Sequence, residues 1–259
     1  MIRLILFAII MILVCVISLI AYPLSLLIGL FSKKAKDKFS LKFVQVAMKC
    51  ILFVCGAKVK YIGLENIPKD GEAVVYTGNH RSFFDVIATY PMFPTSTGFI
   101  AKKEMRTWPV VSWWMKNLYC LFLDRKNNRE GVKTILEGVN NVKNGVSMMI
   151  FPEGTRSREE GHVAMFHGGS FKLATKSGAR IIPVVYNNSG AIWDDHIPWV
   201  RSAVMTVEFC APIDTKNLNI TEVNDLANKV HDIVYERHIA NGKAMGSISE
   251  DIQPEDNQH

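Results

Sequence analysis

In residues 79–85, Asn-His-Arg-Ser-Phe-Phe-Asp, a histidine stands five positions ahead of an aspartate. His80 is the side-chain type that gains and loses a proton near neutral pH. A carboxylate on its other ring nitrogen, here Asp85, would fix the tautomer and stabilise the imidazolium, as a general base requires. The spacing alone is weak. Seven histidines in 259 residues give about a third of such a pair by chance. Ser82-x-x-Asp85 is also a capping-box pattern, in which a first-turn acid needs no catalytic role. An isolated histidine, for its part, commonly serves structure.

A second group, Phe151-Pro-Glu-Gly-Thr-Arg-Ser157, gives a base something to act on. Gly154 permits close backbone approach, Thr155 and Ser157 offer hydroxyls, and Arg156 offers planar, bidentate donors suited to a phosphate. Glu153 would repel an anion, so its expected task is to orient Arg156 or a backbone turn. A surface ion pair is the structural alternative for Arg156.

The elements that must position these groups emerge from hydrophobic periodicity. Strand-like runs cover 58–62, 73–78, 97–101, 120–123, 146–151, 180–186 and 203–209, and helix-like runs cover 84–92, 108–117, 129–144, 169–177 and 221–240. This alternation predicts an α/β fold with a mixed, largely parallel sheet covered by helices, and ligands outside the carboxyl ends of strands. His80 and Pro152 both fall where strands should end. Residues five apart on a regular helix point about 140° apart. The pair can therefore meet only if His80 lies in the loop, Ser82 starts the helix and Asp85 reaches back.

The net charge of +6 suits an anionic partner, either nucleic acid or an anionic membrane surface. The N-terminus selects between them. Between Ile2 and Phe31 the only charge is Arg3, and Lys33, Lys34, Lys36 and Lys38 come directly after. About 20 apolar residues suffice to cross a bilayer, so this segment could span it. Alternatively, Pro23 and Gly29 could bend it into a helix pair within one leaflet. The lysines would lie on the cytoplasmic side. Residues 41–55 read as an interfacial amphipathic helix, with Lys42 and Lys49 snorkelling, or as a core helix of the adjoining α/β domain. The expected organisation is a membrane-anchoring helical segment at 1–57, an α/β domain at 58–242, and an acidic tail without fixed structure at 243–259. The five cysteines sit in apolar surroundings without a Cys-x-x-Cys, which suggests buried thiols in a reducing compartment.

Together these blocks resemble the glycerolipid acyltransferase family. Asn79, His80 and Asp85 match its Asn-His-x4-Asp block, and residues 151–157 match Phe-Pro-Glu-Gly-Thr-Arg-Ser without a change. Ala101–Met105, Phe122–Arg125 and Ile182–Val184 are similar to three further blocks. The resemblance implies His80 as general base, Asp85 orienting it, and Lys102, Arg125, Glu153, Gly154, Thr155 and Arg156 around the substrate, with no metal and no bound cofactor. It implies a membrane-bound enzyme that moves a fatty acyl group from acyl-ACP or acyl-CoA to the sn-2 hydroxyl of 1-acyl-sn-glycerol-3-phosphate (lysophosphatidic acid), giving phosphatidic acid. The catalytic domain would face the cytoplasm, in contact with membrane lipids and without nucleic acid. Two positions depart from the pattern: Tyr119 replaces a usual Gly, and His167 replaces a usual Lys. The latter keeps open another lysolipid acceptor, such as a lyso-ornithine lipid. A non-catalytic lipid-binding protein of the same fold is the remaining alternative. Trp108–Met115 is read as an acyl-groove wall, as a segment at the lipid headgroup level, or as a core helix.

Overall fold

The computed structural model describes residues 1–251. It opens with two helices, α1 (Ile2–Phe31) and α2 (Lys33–Cys55). Next come β1 (Lys58–Ile62), β2 (Val75–Gly78), α3 (Phe83–Thr89), β3 (Thr97–Lys102), α4 (Val111–Asn117) and β4 (Leu121–Leu123). The chain then forms α5 (Asn128–Lys143), β5 (Ser147–Ile150), α6 (Lys172–Ser177), β6 (Ile181–Asn187), β7 (Val204–Phe209) and α7 (Ile220–Met245). Every expected strand is present within two residues of its expected bounds. The strands make one sheet in the order β1-β7-β6-β2-β5-β3-β4. The run β6-β2-β5-β3-β4 is parallel; β7 lies antiparallel to β6 and parallel to β1.

β2, β5 and β6 are buried at every residue, as central strands covered on both faces must be. Alternation divides their side chains between two cores. Tyr76, Met149, Ile182, Val184 and Tyr186 pack towards α2, α3 and α4. Val75, Met148, Ile150, Ile181 and Val185 pack towards α5, α6 and α7.

The N-terminal hairpin departs from expectation in two ways. Pro23 lies within one continuous helix, and the chain turns instead at Ser32, whose hydroxyl accepts the Ala35 N–H at 3.2 Å as the cap of α2. α2 also takes up the lysine run and gives one face to the domain. Leu41, Val44, Ile51, Leu52 and Cys55 are buried in the first core, while Lys42 and Lys49 stay exposed on its other side. The inner face of residues 41–55 is therefore that of a core helix, and the outer face presents Val46 and Phe53 beside the two lysines. The two lysines carried the amphipathic signal without saying which side the apolar stripe would meet.

α1 packs against the domain along most of its length. Leu4, Phe7, Ile10, Met11 and Tyr22 contact the first core, and Ser18, Ala21 and Ser25 are buried. α4 supplies the matching donors. Trp114 Nε1 donates to Ser18 Oγ at 2.9 Å, and Asn117 Nδ2 donates to Ser25 Oγ at 2.9 Å. Trp114 also stacks on Phe43 at 4.1 Å, so it belongs to the core, whereas Trp108 is exposed. All five cysteines are free, with Cys15 and Cys50 only partly buried.

At the other end, α7 runs past the expected boundary at 242. Gly246 takes a left-handed φ of 71°, which lets the chain fold back and bury Ile248 against Gly242. Such an apolar contact across a glycine-capped helix end is a recurrent stop signal. The expected tail thus loses its first residues to ordered structure, and 252–259 lie outside the described residues.

Candidate active site

Parallel strands bring the two chemical segments to one edge. β2 ends at Gly78 and its neighbour β5 at Ile150, so the loops beyond them emerge side by side. Asn79 clamps the first loop to β6: its Nδ2 donates to the Tyr186 carbonyl and its Oδ1 accepts the Tyr186 N–H, both at 2.9 Å. Ser82 then caps α3, with Asp85 as the reciprocal acid of a capping box.

Asp85 caps and orients at once, and it uses a single oxygen. Its Oδ2 faces His80 Nδ1 at 2.8 Å and accepts the N–H groups of Arg81 and Ser82 at 2.7 and 2.8 Å. Its other oxygen is buried with no hydrogen-bond partner among the described residues. An Asp85 carboxylate at Nδ1 leaves the proton on that nitrogen and the lone pair on Nε2. The His80 side chain is 17% exposed, so the ring is enclosed without being sealed from a ligand. Phe151 stacks on the imidazole at 3.9 Å with 9° between planes, which fixes the ring.

The Phe151–Ser157 loop is tied to His80 through the backbone. Glu153 Oε1 accepts the His80 N–H at 2.5 Å and its Oε2 accepts the Ala164 N–H at 3.0 Å. Ser157 N–H donates to the His80 carbonyl at 2.8 Å. Glu153 thus orients the turn rather than Arg156, the second of its two expected tasks. Burial pushes its carboxyl up to about 7, although the two backbone donors act against the shift. Gly154 takes a φ of 73° beside the His167 ring, a conformation that few side chains tolerate.

The cations fall into two groups. Arg156 Nη1 donates to Asp194 Oδ1 at 2.6 Å, and its guanidinium lies 4.3 Å from the centre of the Phe83 ring. Lys102 and Arg125 lie at or just past the ends of β3 and β4, one and two strands beyond β5 on the same edge. Lys102 is exposed and pairs with Glu104 at 3.4 Å; the adjacent Lys103 pairs with Asp124 at 2.7 Å. The structure therefore brings Arg156 to the His80 loop and leaves Lys102 and Arg125 further along the edge. Adjacent strands lie about 4.8 Å apart, so long side chains from both positions remain within reach of a ligand there.

Several participants gave no separate signal in the sequence. Arg81 donates to Asp195 and lies 3.9 Å from Glu160, while Ser82 Oγ donates to Asp194. Glu160 accepts the Asn188 N–H at 2.7 Å, and burial raises its carboxyl to about 7. Burial also raises Asp194, against its bond from Ser82 and the Arg156 charge. His238 accepts the Gly161 N–H at Nε2, which leaves Nδ1 to donate to the Tyr186 carbonyl at 3.0 Å. Burial lowers it to about 4, keeping it neutral. The adjacent acids Asp194 and Asp195, after a predicted strand, were the one available clue.

A family model described as Acyltransferase matches residues 58–187. A 1-acyl-sn-glycerol-3-phosphate acyltransferase of Saccharomyces cerevisiae is 33% identical over 179 residues, covering 68% of this chain and 58% of the relative. A probable 1-acyl-sn-glycerol-3-phosphate acyltransferase of Mycoplasma pneumoniae is 30% identical over 204 residues, covering 73% of this chain and 74% of the relative. The crystal structure of the 1-acyl-sn-glycerophosphate acyltransferase PlsC from Thermotoga maritima superposes with a TM-score of 0.79 at 25% identity, covering 96% of each chain. The present chain therefore spans little more than half of the yeast relative but nearly all of the thermophile chain.

Proposed function

We propose, from the premise that this chain belongs to the acyltransferase family, that it acylates the sn-2 hydroxyl of 1-acyl-sn-glycerol-3-phosphate, giving phosphatidic acid. The acyl group comes from a thioester of acyl-carrier protein or coenzyme A. The observation that carries this reading is His80, held at Nδ1 by Asp85 with Nε2 left to the ligand. Nε2 takes the acceptor's hydroxyl proton while that oxygen attacks the thioester carbon. The C–S bond then breaks, and His80 returns the proton to the departing thiolate. No acyl-enzyme forms, because the acceptor hydroxyl is itself the nucleophile. Asp85 stabilises the transient imidazolium.

The acceptor's phosphate is held by Arg156 with the Gly154–Thr155 turn, and by Lys102 and Arg125 reaching from the neighbouring strands. Its negative charge must win Arg156 from Asp194. Holding the hydroxyl next to Nε2 is itself a large share of catalysis, since fixed geometry can lower a barrier by several kcal/mol.

α1 supports attachment to a membrane. The helix is long and apolar enough to cross a bilayer, yet its inner stripe meets the domain from Leu4 to Ser25. A crossing helix would carry that domain into hydrocarbon. On this reading the hairpin lies in one leaflet, with Ile12, Ile17, Leu19 and Ile20 turned to lipid, all more than half exposed, and the domain on the cytoplasmic side.

The test is transfer of a labelled acyl group from both thioesters to a panel of lysolipids, lyso-ornithine lipid included. His80→Ala should reduce transfer by at least about a thousandfold while leaving vesicle binding intact. Turnover by purified His80→Ala enzyme would overturn the general-base assignment. If no lysolipid is acylated by the native enzyme, the lipid-binding alternative takes its place.

A further inference from the structure

The turn between α1 and α2 forms a cavity of about 420 Å³ with the end of α4. Three lysines line it, Lys33, Lys36 and Lys116, together with Leu26, Asp37 and Tyr119. It is far from the chemistry. Tyr119 precedes β4 and its carbonyl lies against Gly98 at the start of β3, whereas His80 lies past the end of β2. A strand of six residues separates those edges by about 20 Å.

Tyr119 is what makes this more than a patch of surface charge. It stands where the family resemblance expects glycine, and it keeps a left-handed φ of 61°, a conformation strained for any residue with a side chain. That side chain closes one wall of the cavity. Its hydroxyl donates to Asp37 at 2.8–2.9 Å, and Lys33 Nζ lies 5.3 Å from the ring centre. The phenol therefore engages the one acid lining the cavity, against three ammonium groups. Gly29 contributes by its lack of a side chain: a Cβ there would lie 2.9 Å from Lys36 Cδ, so glycine lets the Lys36 stem lie flat on α1.

We propose that this cavity binds the phosphate of an anionic phospholipid headgroup, held by Lys33, Lys36 and Lys116. The lipid's acyl chains then run along the outward face of α1. A lipid fits better than free phosphate because the cavity runs into apolar surface. Leu26 lines it, and one turn on Leu30 and Phe31 are 80% and 85% exposed. Cationic side chains at this depth gain from anionic lipid at the membrane surface. The site rests on the leaflet placement of α1 and is independent of acyl transfer.

The experiment measures binding of the full chain to phosphatidylcholine vesicles with increasing phosphatidylglycerol. Lys33→Ala with Lys116→Ala should weaken the gain from phosphatidylglycerol roughly tenfold or more, whereas Lys34→Ala with Lys38→Ala should weaken it no more than about threefold. The second pair removes the same charge from the same region but lies outside the cavity. Equal losses would mean diffuse surface attraction and overturn the site. Competition by inorganic phosphate at matched ionic strength would assign the cavity to free phosphate and overturn the lipid. Failure of the native chain to bind any vesicle would overturn the site together with the leaflet placement. Acyl transfer in detergent micelles should be unchanged in both double variants. Its loss in the cavity variant alone would mean that these lysines serve folding or catalysis, and would overturn a separate lipid site.

Discussion

A single carboxylate oxygen of Asp85 holds the ring nitrogen of His80 and two backbone N–H groups. The helix cap and the orienting acid are one group because the cap geometry delivers the carboxylate to the loop. This much was legible in residues 79–85, since every partner lies within five positions. Asp194 and Glu160 were not, because folding brings them from far along the chain. Asp194 makes a specific demand on the proposed reaction. It occupies Arg156 at 2.6 Å, so on the proposed function an incoming phosphate has to displace it. Asp194→Asn should therefore lower the KM for a phosphate-bearing acceptor roughly two- to fivefold, the range of an exposed ion pair, with kcat little changed. Initial-rate kinetics check this; an unchanged KM would mean that Arg156 need not be released.

The loop between β5 and residue 164 is held by a buried acid, Glu153, and a partly buried one, Glu160, both raised to about 7. Their ordinary value is 4.5, so the fold favours the protonated forms. Their contribution to stability is complete below about pH 4.5 and is lost as pH rises through about 7. The loss is on the order of 3 kcal/mol for each at most. Glu160→Gln keeps an acceptor for the Asn188 N–H but cannot ionise. Its melting temperature relative to the native protein should rise by several degrees between about pH 5 and pH 8, read by calorimetry at both values. A difference independent of pH would show that Glu160 ionises freely. Strands were legible because continuous buried runs such as Ile181–Asn187 have few other uses. The far end of α7 was less so, because its stop depends on a local contact between Ile248 and Gly242 that composition does not reveal.

For the molecule as a whole, the parallel sheet and its two helical faces were readable in the alternation of apolar runs, and an apolar segment at 2–31 announced a membrane-seeking helix. That α1 gives one stripe to the domain was not readable. The stripe is written partly in serines, Ser18 and Ser25, which meet Trp114 and Asn117. Ile12→Glu with Ile20→Glu alters only the outward face, 63% and 75% exposed in the two residues. The double variant should keep its melting temperature within about a degree or two yet move from the vesicle pellet to the supernatant. Retention in the pellet would argue for a crossing helix.

Because α2 fills the core and α1 covers Trp114 and Asn117, the hairpin cannot be shed. A protease cutting at Ser32, the single residue between the helices, would let α1 leave and exchange the Trp114 and Asn117 hydrogen bonds for water, each at a net cost of about 0.5–1.5 kcal/mol. It would also bare the aromatic surface of Trp113, Trp114 and Trp193 that Phe7 and Tyr22 of α1 shield. The product would be a damaged protein prone to degradation, not a soluble form of the native one. On the proposed reading, activity and residence at the lipid surface are thus joined by the architecture, and a cell holding this chain could end the second only by ending the first.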